Sequence, residues 1–302
     1  MQLDVRLGQL QMPNPVMVAS GTYGGGEPAT DLIPLDRLGA FVTKSITLHP
    51  RPGNPQPRIF ETTGGLLNSI GLENAGIEEF LLHGLLPFQR ITVPLVVSIA
   101  GESQAEYLQL AAILADRSRV DALEINISCP NVEKGCLIGS DASLTRELVT
   151  ALRPLFPRSL IVKLTPNTPQ LRQVAQAAQE AGADAIALVN TFLGMAINTR
   201  TRRSQLSRPF AGLSGPAIKP LALRLVWEVC QQVQIPVIGI GGIETGEDAA
   251  EFLLVGARAV QVGSATFRHY DAPLRVLKEL QQLLEEEGIQ QIDDWIGGVR
   301  LD

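Results

Sequence analysis

A chain of 302 residues, 45% hydrophobic and 19% charged, has the composition of a globular enzyme with enough apolar material for a large core. With 25 basic residues against 31 acidic ones the net charge is −6, and no basic block exceeds Arg202-Arg203, which argues against a nucleic-acid footprint. No run approaches the roughly 18 apolar residues of a membrane span, the start MQLDVRLGQLQMPNP lacks the regions of a signal peptide, and three cysteines fit a reducing compartment, so a cytoplasmic location is expected.

In chain order, Leu3–Gln11 reads as a hairpin able to plug the floor of a barrel. Short β-branched runs follow at Val16–Ser20, Ala40–Ser45, Pro94–Ala100, Ala122–Ser128, Leu160–Thr165, Ala185–Asn190, Pro236–Gly241 and Ala259–Gly263. Amphipathic stretches separate them, among them Glu102–Arg117, Leu144–Phe156, Thr168–Ala181, Pro216–Val233 and Thr245–Val255, most opened by a capping residue or Pro. Strand and helix alternating eight times predict a (β/α)8 barrel occupying residues 1–302 as one domain, with near-continuous apolar strands suited to a parallel sheet covered on both faces. An open doubly wound sheet is the rival. Two connections exceed ordinary loops: Ile46–Leu72 after the second strand, with four prolines, and the arginine-rich Phe192–Pro216 after the sixth. Both leave from the carboxyl side of the strands, where they would cover or line a site; the alternative is a surface excursion.

Barrel enzymes build their sites at the carboxyl ends of the strands, and here every such end carries a polar residue or a glycine: Ser20-Gly21, Lys44-Ser45, Ser98, Asn126 with Ser128, Lys163, Asn190-Thr191, Gly241-Gly242 and Gly263-Ser264. The glycines after strands seven and eight stand where barrels bind phosphate on bare backbone N–H groups. Lys44 and Lys163 place two ammonium groups at one mouth with no matching inward carboxylate, which points to anionic ligands; Lys163 as a Schiff-base lysine competes with that reading. Glu124, below the strand end, reads equally as a salt-bridge partner. Asn68, Asn126, Asn131 and Asn190 offer amide donors and acceptors for a planar polar ring, although any single asparagine is more often a turn residue. Cys129, in EINISCPNVEK, stands among polar groups in a mouth loop and is either a small buried hydrophobe or a base or nucleophile. No metal site is expected, because Cys129 and Cys136 lack a matching pair and His49, His83 and His269 do not cluster. Cys136 and Cys230 read as structural.

The stretches NPVMVASGTYG, FVTKSITLHPRPGNPQPRIFET, LLNSIGLENAG, EINISCPNVEKG, IVKLTPN, LVNTFLG, GLSGPAIKPLALR, IPVIGIGGI and AVQVGSATF run almost end to end. On them the chain resembles the class 1 dihydroorotate dehydrogenases, FMN-containing barrels of pyrimidine biosynthesis. The resemblance implies oxidation of dihydroorotate to orotate, with Cys129 as the base that takes a proton from C5 while the C6 hydride goes to the flavin. It assigns Ser20, Lys44, Ser45, Ser98, Asn126, Lys163, Val189, Gly215, Gly241, Gly242, Gly263 and Ser264 to FMN; at Ser98 the family often has Asn, a departure at that contact. To the substrate it assigns Lys44, Asn68, Ser69, Ile70, Gly71, Leu72, Asn126, Asn131, Asn190 and Thr191.

Within class 1, NSIGLENAG and GLSGPAIKPLALR look like the heteromeric NAD-linked type, class 1B, rather than the fumarate-reducing class 1A homodimer. The resemblance therefore implies a homodimer of this chain joined in a heterotetramer by a partner that carries FAD and a 2Fe–2S cluster. Three cysteines here cannot supply the four thiolates such a cluster ordinarily takes. Rival readings are a flavin barrel acting on another dihydropyrimidine, such as dihydropyrimidine dehydrogenase or a tRNA dihydrouridine synthase, and a flavin-free lyase using Lys163.

Overall fold

In the computed structural model, which describes residues 1–24, 33–127 and 138–301, the chain enters through an antiparallel hairpin of β1 (Val5–Leu7) and β2 (Leu10–Met12). Alternation decides its faces: Val5, Leu7, Leu10 and Met12 are buried and the residues between them are exposed. Ser159, at the start of a barrel strand, fixes the hairpin. Its Oγ accepts from the N–H groups of Gln9 (2.9 Å) and Leu10 (3.0 Å) and donates to the Leu7 carbonyl (2.8 Å). The expected floor plug is therefore present.

Eight parallel strands form the barrel: β3 (Val16–Val18), β4 (Phe41–Val42), β7 (Leu95–Ile99), β8 (Ala122–Asn126), β9 (Ser159–Lys163), β10 (Ala185–Leu188), β15 (Val237–Ile240) and β16 (Ala259–Val262). Their order is β3-β16-β15-β10-β9-β8-β7-β4. Between the two ends of that order Met17 bridges Ala40, and Gly39 N donates to Val16 O at 2.8 Å, so the sheet closes on itself. Closure rules out the open doubly wound sheet. Seven of the eight strands lie within the runs expected from the sequence, β9 begins one residue earlier at Ser159, and all are buried along their length, as a sheet covered on both faces requires.

Helix α1 (Gly76–Glu79) is short and runs on through the wider turn Phe80–Gly84. The longer helices are α2 (Gln104–Ala115), α3 (Ala142–Leu152), α4 (Leu171–Glu180), α5 (Lys219–Cys230), α6 (Gly246–Leu254) and α7 (Ala272–Glu286). Capping sets several of their starts: Asp141 accepts from Leu144 N at 2.9 Å, and Thr245 and Asp248 form a reciprocal capping box. Helical period alone overstates the regularity near the start of the barrel. Among the described residues between β3 and β4 there is only the single 3-10 turn Leu35–Arg37.

The two long connections make a structure of their own. Out of the first come β5 (Ile59–Thr62) and β6 (Gly65–Asn68); out of the second come β11 (Phe192–Gly194), β12 (Ile197–Asn198), β13 (Arg203–Ser204) and β14 (Ala211–Ser214). Strands from both join in one antiparallel sheet of order β11-β14-β6-β5, while β12 and β13 form a separate hairpin. Leu67, Leu206 and Ala211 give the joined sheet a small apolar core distinct from that of the barrel. Neither connection is a plain surface excursion, because each completes the other.

Candidate functional site

At the carboxyl ends of the strands lies a cavity of about 1090 Å³, bounded below by the barrel and at its side by the joined sheet. That is the upper end of the usual range for small-molecule sites, room for more than one planar ring. Of the residues expected to hold a cofactor, Ser20, Lys44, Ser45, Asn126, Lys163, Val189, Gly215, Gly241, Gly242, Gly263 and Ser264 all line it. Ser98 lies one layer deeper with no exposed surface, its Oγ 2.9 Å from Ser45 Oγ, so its polar group reaches the cavity through Ser45. The expected substrate residues Asn68, Ser69, Ile70, Gly71, Leu72, Asn190 and Thr191 line the same cavity. Cys129 and Asn131, like Cys136, lie outside the described residues.

The amides are held before any ligand arrives. Asn126 Nδ2 donates to Ser45 Oγ at 3.1 Å and Asn190 Nδ2 donates to Asn126 Oδ1 at 3.4 Å. Thr191 N donates to Asn190 Oδ1 at 2.8 Å. Behind them the Tyr107 hydroxyl donates to the Asn126 carbonyl at 2.8 Å. Groups fixed in this way lose little freedom on binding.

One expectation needs correcting. The two mouth lysines do not lack an inward carboxylate, because Lys163 Nζ lies 3.4 Å from Glu124 Oε1 and 3.3 Å from Ser20 Oγ. Strands β8 and β9 run in parallel register, Glu124 sits one inward step below Asn126, and Asn126 is the register partner of Lys163. The inference of an anionic ligand therefore rests on Lys44 rather than on both lysines. Burial pushes the Lys44 ammonium below the usual lysine range; nearby Glu73 opposes that shift and Arg58 adds to it. A cation so placed gains from an anion brought into the cavity.

The loop Asn68–Leu72 is braced from outside by a residue the sequence reading missed. Asn54 N donates to Ile70 O at 2.9 Å, and Asn54 Nδ2 reaches Ser69 O (3.1 Å) and Ser69 Oγ (3.0 Å). Leu72 closes the loop at φ 56, a conformation uncommon outside glycine. Asn68 Nδ2 donates to Gly212 O at 3.2 Å, tying the loop to β14. Asn167, also missed, donates to Thr191 O at 3.0 Å and accepts from Leu193 N at 3.0 Å. Its signal was available in LTPN, a polar side chain two residues past a strand end. Of the arginines in the second connection, Arg208 lines the cavity, whereas Arg200, Arg202 and Arg203 are exposed at the tip of the β12–β13 hairpin. Cys230 ends α5 and its thiol is pushed up to about 12 by burial, in keeping with a structural role.

Across the cavity the wall is bare backbone. Gly241 (φ 130) and Gly242 (φ 75) follow β15 with positive φ, and a Cβ on either would lie 2.8 Å from the Cβ of Ala222 or Lys219 respectively. Only glycine serves there, and without side chains the turn exposes its N–H groups. Lys219 is itself fixed from behind by Asp248 (2.6 Å) and Glu251 (3.0 Å) of α6.

A closed barrel with a polar mouth, a glycine wall on one side and a rigid amide cluster on the other defines a barrel enzyme with its site at the carboxyl ends of the strands. Comparison with known proteins narrows this. A family model described as dihydroorotate dehydrogenase matches residues 2–284. The catalytic subunit of dihydroorotate dehydrogenase B (NAD(+)) from Pelobacter propionicus is 47% identical over 298 residues, 98% of each chain. The subunit of the same name from Desulforamulus reducens is 44% identical over 302 residues, covering 100% of this chain and 99% of its own. Among solved structures, that of DHODH from Eimeria tenella in complex with ferulenol superposes with a TM-score of 0.82 at 25% identity, covering 98% of this chain and 88% of the other. The chain belongs to the dihydroorotate dehydrogenase family. Among the described residues no helix is long and apolar enough to cross a membrane.

Proposed function

We propose that this chain is the FMN-binding catalytic subunit of an NAD-linked dihydroorotate dehydrogenase, oxidising (S)-dihydroorotate to orotate in pyrimidine biosynthesis. The observation that carries this is the joining of two differently built walls in one cavity: Gly241, Gly242 and Gly263 on one side, and Asn68–Leu72 with Asn126 and Asn190 on the other. FMN fits the first wall. Its phosphate would lie on the backbone of Gly241, Gly242, Gly263 and Ser264, where a Cβ at 241 or 242 would disturb the packing. Its ring would lie against Val189 and Gly215, with its polar edge toward Ser20, Ser45, Asn126 and Lys163. When bound, FMN supplies the acceptor for the hydride that leaves C6 of the substrate.

The remaining work falls to the chain. Asn126 and Asn190, held by Ser45 and by each other, present amide donors and acceptors matched to the in-plane edge of an imide, while Asn68 and Thr191 complete the ring's polar contacts. Lys44 meets the substrate carboxylate, an anion that offsets the cost of its burial. Asn131, two residues beyond Cys129 in the sequence, would serve the substrate. The Cys129 thiolate would take the C5 proton, so that with the C6 hydride one proton and one hydride leave and one C–C double bond forms. The joined sheet keeps water from the reacting carbons.

Electrons then pass to NAD+ through a partner subunit carrying FAD and a 2Fe–2S cluster, with two copies of each chain. The names of the relatives support a partner, since each is called a catalytic subunit. The fumarate-reducing class 1A enzyme is the alternative within the family. Anaerobic addition of dihydroorotate to the yellow purified protein is expected to bleach the flavin, and native co-purification with an acceptor screen of NAD+ and fumarate is expected to favour NAD+. A colourless protein that FMN cannot reconstitute would sink the proposal.

A further inference from the structure

Glu124 has no exposed surface, does not line the cavity, and takes no part in the chemistry above. A carboxylate in that position is costly unless it is paired and hydrogen-bonded. Both conditions are met by residues of the barrel interior: Lys163 Nζ at 3.4 Å from Oε1, and Gln261 Nε2 donating to Oε2 at 2.8 Å. Gln261 is also fully buried, and its own Oε1 has no partner among the described residues. The barrel thus leaves a buried carbonyl unsatisfied in order to aim an amide at Glu124. A core built for stability alone would use apolar side chains at all three positions, since replacing a buried pair by well-packed hydrophobic groups is often neutral or stabilising.

The Lys163 contacts indicate what the arrangement serves. At 3.4 Å from Glu124 and 3.3 Å from Ser20, the ammonium is suspended between them rather than drawn down into a tight pair. Ser20 and Lys163 both line the cavity, and Glu124 and Gln261 do not. Glu124 therefore meets a cavity ligand by contact only through Lys163.

We propose that Glu124, aimed by Gln261, is a positioning residue that holds the Lys163 ammonium against the flavin and so sets the flavin's reduction potential. The proposal rests on the reading of this cavity as an FMN site. Glu124 opposes part of the Lys163 charge and fixes its place, and the balance of the two decides how strongly the site favours the flavin after it has gained negative charge.

The test is a double-mutant cycle of Glu124→Gln with Lys163→Met, read as the midpoint potential of bound FMN and as thermal stability. In the wild-type background Glu124→Gln is expected to change the ratio of affinities for oxidised and reduced FMN at least tenfold, about 30 mV for a two-electron couple. In the Lys163→Met background the same change is expected to leave the potential where it is, because the ammonium that Glu124 positions is gone. Lost stability without a potential change would make Glu124 structural and overturn the proposal. An equal shift in both backgrounds would also overturn it, because Glu124 would then act without Lys163. Should Glu124→Gln fail to fold, Gln261→Met keeps both charges and removes only the aiming hydrogen bond; a shift in the wild-type background that Lys163→Met abolishes supports the proposal, and an unchanged potential refutes it. Failure of the FMN reading is separately visible, as a wild-type protein that takes up no flavin.

Discussion

A thiol serves as a base at neutral pH only if its thiolate is within reach, and a hydroxyl in the same place is a far weaker one. Cys129→Ser is therefore expected to slow anaerobic flavin reduction by dihydroorotate about 10²- to 10⁴-fold near neutral pH, the range general-base catalysis ordinarily supplies. FMN content should be unchanged, and stopped-flow absorbance of the flavin band checks the rate. An undiminished rate would remove Cys129 from the mechanism. At this scale the sequence was informative wherever chemistry demanded a particular residue type: Gly241 and Gly242 tolerate no Cβ, and Lys44 is an ammonium at a strand end. It offered Glu124 as a salt-bridge partner but did not join it to Lys163, because the two stand on neighbouring strands. Interior parity joins the two only once β8 and β9 are known to be adjacent and in register.

Elements carry two further expectations. Lys219, at the start of α5, holds Asp248 and Glu251 of α6 beneath the glycine turn. Burial works against the Lys219 charge, yet its two carboxylates outweigh that and raise it above 10.5; burial likewise works against the Asp248 charge, yet Lys219 and the N–H groups of Glu244 and Thr245 lower it below 3.8. The raised lysine contributes stability that is present below pH 10.5 and lost as pH climbs through its folded value. The lowered carboxylate contributes stability that is present above pH 3.8 and lost as pH falls through its folded value. Lys219→Met is thus expected to cost about 1 kcal/mol near neutrality, with the difference from wild type shrinking in acid as Asp248 takes up its proton. Urea denaturation at two pH values measures it.

The joined sheet responds differently, because its core is small and separate. Leu67→Ala is expected to cost about 2 kcal/mol locally, raising KM for dihydroorotate several-fold while leaving the melting temperature nearly unchanged. Hydrogen exchange should quicken at residues 65–68 and 211–214 and stay slow in the barrel strands. Nothing in the sequence of either connection announced this sheet. Its strands are three or four residues long, three of the four carry glycine, and the one pairing that joins the two connections, β6 with β14, spans more than a hundred residues, so no local period marks them.

For the molecule as a whole, the two ends of the barrel do different work. The mouth holds the polar groups, and the floor is sealed by apolar residues of the β1–β2 hairpin. Ser159 concentrates the floor's attachment in three hydrogen bonds. Ser159→Ala would leave two hairpin N–H groups and a carbonyl without that partner, at about 1–3 kcal/mol, and is expected to lower the melting temperature without altering FMN affinity or KM. Calorimetry with a flavin titration checks both halves; a change in affinity would show that floor and mouth are coupled. The eightfold alternation was the most legible feature of the chain, since burial on both faces leaves apolar runs that no loop imitates.

The hydrogen bond from Asn68 to Gly212 joins residues 144 apart. Between them the chain must lay down β7, β8, β9 and β10 before β14 is reached. Closing so long a loop costs little more than closing a shorter one, but it fixes an order in time. During synthesis Lys163, at the end of β9, exists before the sheet at the side of the cavity has its second half. A nascent chain can therefore lay down six of the eight barrel strands before β14 is available to pair with β6 and complete the wall of the cavity.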